Sequence, residues 1–187
     1  MEKVIKLLEN FKPSCEQERI DKDLFLQCAR DIPNILTRES LLAHFTSSAF
    51  VINDAKTKVV CSHHNIYDSW TWLGGHADGE DDFFGVAKRE VGEESGLTRL
   101  KTFGGGGVFS IESLPVLSHT RKGKFVPAHT HLNVTYAFTA NEDDKLHNQP
   151  DENSQTAWLT FDELIKESTE NYMIPVYKKL VDRIKEL

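Results

Sequence analysis

One stretch decides the fold of this 187-residue chain: GHADGEDDFFGVAKREVGEESGL, residues 75–97. A loop rich in Gly and Asp opens the stretch, and apolar residues at helical spacing then predict a helix over residues 82–95. Within that helix Glu90, Glu93 and Glu94 have the spacing i, i+3, i+4. Residues so spaced share one face of a helix, so three carboxylates project together beside a face that can enter a core.

Three like charges on one helix face are unfavourable on their own. Like charges at i, i+4 destabilise a helix by about 0.2–0.5 kcal/mol, and acids near its C-terminus meet the unfavourable end of the dipole. Hard divalent cations with oxygen ligands, Mg²⁺ or Mn²⁺, are therefore predicted to balance the carboxylates. Arg89 is placed to pair with one carboxylate and to fix its rotamer. The alternative is a solvated acidic face with an Arg89–Glu93 pair.

The order of these residues resembles the Nudix box, G-x5-E-x7-R-E-U-x-E-E-x-G-U, in which U is apolar. Gly75 takes the first position. The last seven fixed positions fall on Arg89, Glu90, Val91, Glu93, Glu94, Gly96 and Leu97. Asp81 departs from the pattern, because it stands in the first acidic slot where the family has Glu, with Glu80 beside it. At these residues the sequence is similar to that of the Nudix hydrolase family.

The resemblance implies an α/β fold, the Nudix-type α/β/α sandwich with a mixed sheet. The flanking patterns agree with it: residues 129–138 alternate as a strand does, and the tail from Phe161 has helical periodicity. Residues 1–44 also have helical periodicity, interrupted by prolines. We therefore expect an N-terminal helical extension, 1–44, followed by a Nudix hydrolase domain, 45–187.

The resemblance also implies a function. Members of the family cleave, with divalent metals, the pyrophosphate bond of a nucleoside diphosphate derivative or a related organic diphosphate. It implies Glu90, Glu93 and Glu94 as ligands of Mg²⁺ or Mn²⁺, with the Gly75 carbonyl as a further ligand. Arg89 is carried over with them as part of the catalytic set. Glu93 or Glu94 is expected to double as the general base, and the sequence does not choose between them.

Polar residues outside the box are further candidates. Glu152 precedes the strand that holds Trp158, where family members often place an additional acid, although a solvated loop acid fits equally well. His76 follows the box glycine, and His129 and His131 share one face of a strand, so they are candidates to contact phosphates or to donate a proton. A transition-metal site at the two strand histidines and plain polar decoration of the sheet are alternatives, and no third metal ligand is evident.

Arg121 lies in the loop TRKGKFVPAH and is a candidate phosphate contact, with a solvated hairpin tip as the alternative. The net charge of -7 argues against generic nucleic-acid binding, which rests on excess Lys and Arg. Much of this charge lies in segments 78–94 and 142–152. The sequence has neither a long apolar run nor a signal-peptide pattern, and its three cysteines are scattered. These features favour a cytoplasmic protein that does not bind membranes. A homodimer formed through the N-terminal helices is a further alternative.

Two other functions compete with hydrolysis. The stretch WLGGHADGE, residues 72–80, is also similar to isopentenyl diphosphate isomerases, which carry a catalytic cysteine just upstream of their Gly-His. Residues 70–73 contain no cysteine and Cys61 is too far back, so isomerase chemistry is disfavoured. The other alternative is a catalytically weak, nucleotide-binding Nudix-like sensor or interaction protein, against which the complete set of box glutamates argues.

Overall fold

The computed structural model describes residues 1–65, 68–121, 123–151 and 153–187, with only the backbone described at Arg121. Its helices are α1 (Glu2–Asn10), α2 (Glu16–Asp31), α3 (Phe83–Ser95), α4 (Phe161–Glu167) and α5 (Ile174–Glu186). Its strands are β1 (Ala43–Asn53), β2 (Lys58–His64), β3 (Ser69–Thr71), β4 (Leu73–His76), β5 (Lys101–Thr102), β6 (Ser110–Val116), β7 (His119–Arg121), β8 (Lys124–Val126), β9 (His129–Ala140) and β10 (Asn153–Thr160).

The central sheet is mixed, as expected. Strands β10, β2, β1, β9 and β5 follow one another across it. The long strands β1 and β9 pair in parallel along the whole of β1, from Ala43 opposite Thr130 to Asn53 opposite Ala140. The other pairs in this sheet are antiparallel: β2 and β4 with β1, β5 and β6 with β9, and β3 and β10 with β2. Strands β7 and β8 form a separate hairpin.

Helices cover both faces of the sheet. One apolar core joins α3 to one face through Phe83, Ala87 and Val91, which recur every fourth residue and so form a stripe along the helix. A second core joins α4 and α5 to the opposite face, with Tyr177 and Leu180 fully buried. The chain is therefore an α/β/α sandwich, which confirms the expected fold class.

The N-terminal helices are present and are packed onto the sheet. Val4 and Leu8 of α1 and Phe25 of α2 are fully buried in the same apolar core as the α3 face of the sheet. The Phe25 ring meets the Phe45 ring of β1 edge to face, with centroids 5.8 Å apart. The division of the chain at residue 44 stays a prediction, but these helices share a core with β1 and α3.

The helix that carries the box begins and ends where its sequence predicts. Asp82 is the N-cap residue of α3, and Gly96 closes the helix with a left-handed φ of 74°. A C-terminal glycine commonly takes this conformation because it has no Cβ. A tight turn follows β1, in which the Lys56 N–H donates to the Asn53 carbonyl at 2.9 Å.

Among the described residues, none of the helices has both the length and the apolar composition that crossing a membrane requires. The longest helix, α2 over Glu16–Asp31, is strongly charged.

Candidate active site

The first glycine of the box, in β4, lies directly against the acidic helix α3. Gly75 pairs with Ser47 of β1, and the Ser47 hydroxyl donates to the Phe83 carbonyl at the start of α3. This face of β4 therefore looks toward α3. A Cβ placed on Gly75 would lie 2.5 Å from the Glu90 carboxyl carbon, so only glycine allows Glu90 to come this close.

Glu94 is fixed from both sides. Its Oε2 accepts the Gly74 N–H at 2.7 Å, and its Oε1 accepts the Asn153 side-chain amide at 3.0 Å. The residue is 5% exposed, and Asn153 is fully buried. Hydrogen bonds to a carboxylate are among the stronger ones, so β4 and β10 hold this side chain in one orientation.

Arg89 and Glu93 complete the acidic face in different ways. The Arg89 guanidinium lies 3.3 Å from Glu90 and 3.4 Å from Glu80, measured from Nη2 to Oε1. The arginine therefore orients Glu90 and joins the helix to the loop, and the alternative Arg89–Glu93 pair is not the arrangement seen. Glu93 is exposed on α3, one residue before the buried Glu94.

The residue in the divergent acidic slot, Asp81, faces the N-terminal helix. Lys3 of α1 donates to its Oδ1 at 3.0 Å, and that hydrogen bond holds the pKa of Asp81 below its usual range. Both side chains are largely exposed, so the pair contributes little to stability. The loop is also tied to the segment before β1, because Arg38 makes a two-point contact of 2.8 Å with Asp78.

The predicted histidines come together on the opposite face of the sheet. His76 pairs with Thr46 and so points away from α3, whereas its neighbour Gly75 faces α3. The His131 ring centroid is 4.8 Å from that of His76 and 5.1 Å from that of His129. Burial holds the pKa of His76 down, to about 3.

Two residues of this region were not found from the sequence. His44 joins the histidines because β1 places it directly opposite His131 in the parallel pairing. Asn153 reaches Glu94 because β10 runs past the end of α3. The alternating pattern of each strand shows which of its side chains share a face. It does not show the register in which β1 pairs with β9.

Two predicted site residues lie beyond what the structure describes. Glu152 is outside the described residues, and so is the side chain of Arg121. Their assignments as an additional catalytic acid and as a phosphate contact stay predictions. The loop of Arg121 does form the hairpin β7–β8.

The folds of solved Nudix enzymes match this one at low identity. A C. elegans Ap4A hydrolase, in a binary complex, is 18% identical, and the match covers 76% of this chain and 98% of that one with a TM-score of 0.57. The E. coli dihydroneopterin triphosphate pyrophosphohydrolase is 12% identical, with 74% and 95% covered and a TM-score of 0.56. The M. smegmatis Nudix hydrolase RenU is 12% identical, with 82% and 94% covered and a TM-score of 0.56.

No curated protein sequence matches the chain significantly. The NUDIX domain profile, however, matches residues 43–180, which is well over half of the chain and includes β1, the box and α4. The match extends far beyond the 23 residues of the box, to the strands that hold Glu94 and the histidines. On this match, the chain belongs to the Nudix hydrolase family.

Proposed function

We propose that the protein uses a divalent metal to hydrolyse the pyrophosphate bond of a nucleoside diphosphate derivative or a related small organic diphosphate. The observation that carries this proposal is the packing of the Glu90 carboxylate against Gly75, where a side chain would displace it. The fixed orientation of Glu94 supports it. Preorganised carboxylates beside a glycine backbone are suited to hold an ion that a phosphate substrate needs.

The residues fit a hard cation such as Mg²⁺ or Mn²⁺, which prefers oxygen ligands. Glu90, Glu93, Glu94 and the Gly75 carbonyl are the ligands we assign. Asn153 Oδ1 is also buried here without a hydrogen-bond partner in the described part of the chain. Once bound there, the ion would neutralise the diphosphate and polarise its oxygens, which makes the phosphorus easier for water to attack.

The protein's own groups divide the remaining work. Water adds to one phosphorus, the bridging P–O bond breaks, and two phosphorylated products leave. We assign Glu93 as the group that accepts the proton of the water, because it is exposed while both oxygens of Glu94 already accept N–H groups. Arg89 positions Glu90. Glu152 as a second acid, and phosphate contacts by His76, His129 and His131, stay predictions.

The test is a substrate panel on the purified full chain with Mg²⁺: nucleoside triphosphates, ADP-ribose, dinucleoside polyphosphates and nucleotide sugars, with products identified. We expect cleavage of at least one class, and loss of cleavage on chelation. Glu93→Gln should lower kcat by at least about 100-fold, because losing a residue that only supports a metal ligand already costs up to about 100-fold. Its fold and melting temperature should be retained, because Glu93 is exposed.

Glu167→Gln is the matched control, since Glu167 is an exposed helical glutamate whose ion-pair partner is Lys166. Full activity in Glu93→Gln would remove this glutamate from the mechanism. Measured Mg²⁺ binding with no turnover across the panel would instead favour the nucleotide-binding sensor.

A further inference from the structure

A compact group of imidazoles lies on the sheet face opposite the acidic helix. We call it the histidine cluster: His44 of β1, His76 of β4, and His129 and His131 of β9. The His44 ring centroid lies 5.1 Å from that of His76, 4.7 Å from that of His129 and 5.0 Å from that of His131. The register of three strands produces this grouping.

Two backbone carbonyls fix how two of these rings present their nitrogens. His44 Nδ1 is 3.1 Å from the Ser40 carbonyl, and His129 Nδ1 is 2.9 Å from the Pro127 carbonyl. A carbonyl only accepts, so in each neutral ring Nδ1 carries the proton and Nε2 carries a lone pair. Carbonyls that hold the outer N–H of an imidazole are the usual support of a metal-ligating histidine.

The inner nitrogens converge. His129 Nε2 and His131 Nε2 are 3.2 Å apart. Two nitrogens bound to one tetrahedral Zn²⁺ are separated by about 3.3 Å, from Zn–N bonds of about 2.0–2.1 Å. One ligand atom each of His44, His129 and His131 lies within 4.8 Å of the other two. Small rotations of the half-buried His129 and His131 side chains would close the remaining gap.

His44 supplies the observation that points to a ligand. The residue is only 4% exposed, and its Nε2 is buried without a hydrogen-bond partner among the described residues. A buried polar atom left without a partner carries a desolvation cost of about 1–3 kcal/mol. A metal ion at the convergence point would satisfy this lone pair.

We propose that His44, His129 and His131 form a binding site for a transition-metal ion of the Zn²⁺ class, separate from the carboxylates of α3. Imidazole ligands select such ions, whereas Mg²⁺ selects oxygen. Three protein ligands leave a fourth coordination position, which is typical of zinc sites that bind a further small ligand. The His76 ring borders the site.

The electrostatics of the cluster agree with ligation, which needs neutral imidazoles. Desolvation lowers the pKa values of His44, His76 and His131, and neighbouring imidazoles add to the effect. The charged pair Arg38 and Asp78 faces the same cluster: the guanidinium also lowers these pKa values, while the carboxylate opposes it at His44 and His76.

The test is a titration of chelator-treated full-length protein with Co²⁺ alone, followed by visible absorption. We expect the intense absorption of a nitrogen-coordinated, low-coordinate site to correspond to one ion per chain, whatever Co²⁺ the carboxylates also bind. Zn²⁺ should remove this absorption and excess Mg²⁺ should not. His129→Asn and His131→Asn should each lower the Co²⁺ affinity by at least about 100-fold. His147→Asn, in an exposed loop, is the matched control and should leave the affinity unchanged.

The variant Glu90→Gln separates the two sites, because it removes a carboxylate ligand and should keep the Co²⁺ absorption. An NMR readout needs no substitution: Zn²⁺ should shift the Nε2 resonances of three imidazoles and leave that of His147 in place. The proposal is overturned if the wild-type protein shows no such absorption. It is equally overturned if the absorption survives both strand variants or disappears in Glu90→Gln alone.

Discussion

Acidic side chains lie beside basic ones both on α3 and next to α5, but their charges are balanced differently. Beside α5, Glu18 and Glu112 are almost fully buried and face two basic side chains. Lys179 Nζ lies 3.3 Å from Glu18 and 3.0 Å from Glu112, and Arg183 lies 2.7 Å from Glu18. We call these four residues the core ion cluster, and their formal charges sum to zero.

On α3, by contrast, Arg89 is accompanied by Glu90, Glu93 and Glu94, and the formal charges of these four residues sum to -2. Charges inside a protein need partners of opposite sign and further hydrogen bonds. In the core ion cluster the chain supplies both, since Asn133 and Thr135 also donate to Glu112. The core ion cluster is therefore neutral without any added ion, whereas the excess negative charge on α3 is what the proposed divalent metal would balance.

The largest expected effect on stability comes from removing a cation of the core ion cluster. Lys179→Met leaves Glu112 and Glu18 with one cation, and breaking a buried pair this way costs about 3–5 kcal/mol. Urea unfolding should show this loss, while Lys178→Met, at an exposed neighbouring position, should change the free energy of unfolding by less than about 0.5 kcal/mol. A small loss in Lys179→Met would erase the contrast between the two clusters.

An intermediate effect on stability is expected from removing Asn153, whose amide holds Glu94 in place. Asn153→Ala removes a hydrogen bond to a carboxylate, a kind of bond that contributes about 1.5–3 kcal/mol, and should lower activity by about 10–100-fold. The exposed neighbour Gln155, changed to Ala, is the control. Stability and Mg²⁺-dependent activity should fall together. Unchanged activity would mean that the orientation of Glu94 does not matter to the reaction.

The smallest effect concerns the backbone of α3. Gly92 is inside the helix, and a Cβ there would meet nothing nearer than the Leu97 carbonyl at 4.0 Å. Gly92→Ala should therefore raise the free energy of unfolding by about 0.5–1 kcal/mol. Gly107→Ala, in open space outside a helix, should gain less. A loss of stability in Gly92→Ala would show that α3 requires glycine for a reason other than space.

Local patterns predicted the parts of the site that are close in sequence. The extent of α3, its end at Gly96 and the approach of Gly75 to the acidic face follow from helical spacing, from glycine chemistry and from the family resemblance. The strand over residues 129–138 and the shared face of His129 and His131 follow from alternation. These features depend on neighbours within about twenty residues.

The rest depends on the register between distant strands, which alternation does not contain. His44 meets His131 only because β1 and β9 pair in parallel without a shift. Glu18 meets Arg183 because α2 and α5 reach the same edge of the sheet. Each partner looks ordinary in its own segment, so a single sequence gives no reason to join them.

The parallel pairing of β1 with β9 also has a consequence for the order of assembly. Contacts between residues far apart in the chain form late, because closing the long loop between them costs conformational entropy before the contact can stabilise it. Gly75 and Glu90 can approach once β4 and α3 have formed, whereas His44 can contact His131 only after β9 has been synthesised and has paired with β1. We expect the approach of Gly75 to Glu90 to form early on the growing chain, whereas the histidine cluster and the hydrogen bond from Asn153 to Glu94 form only after β9 and β10 have joined the sheet.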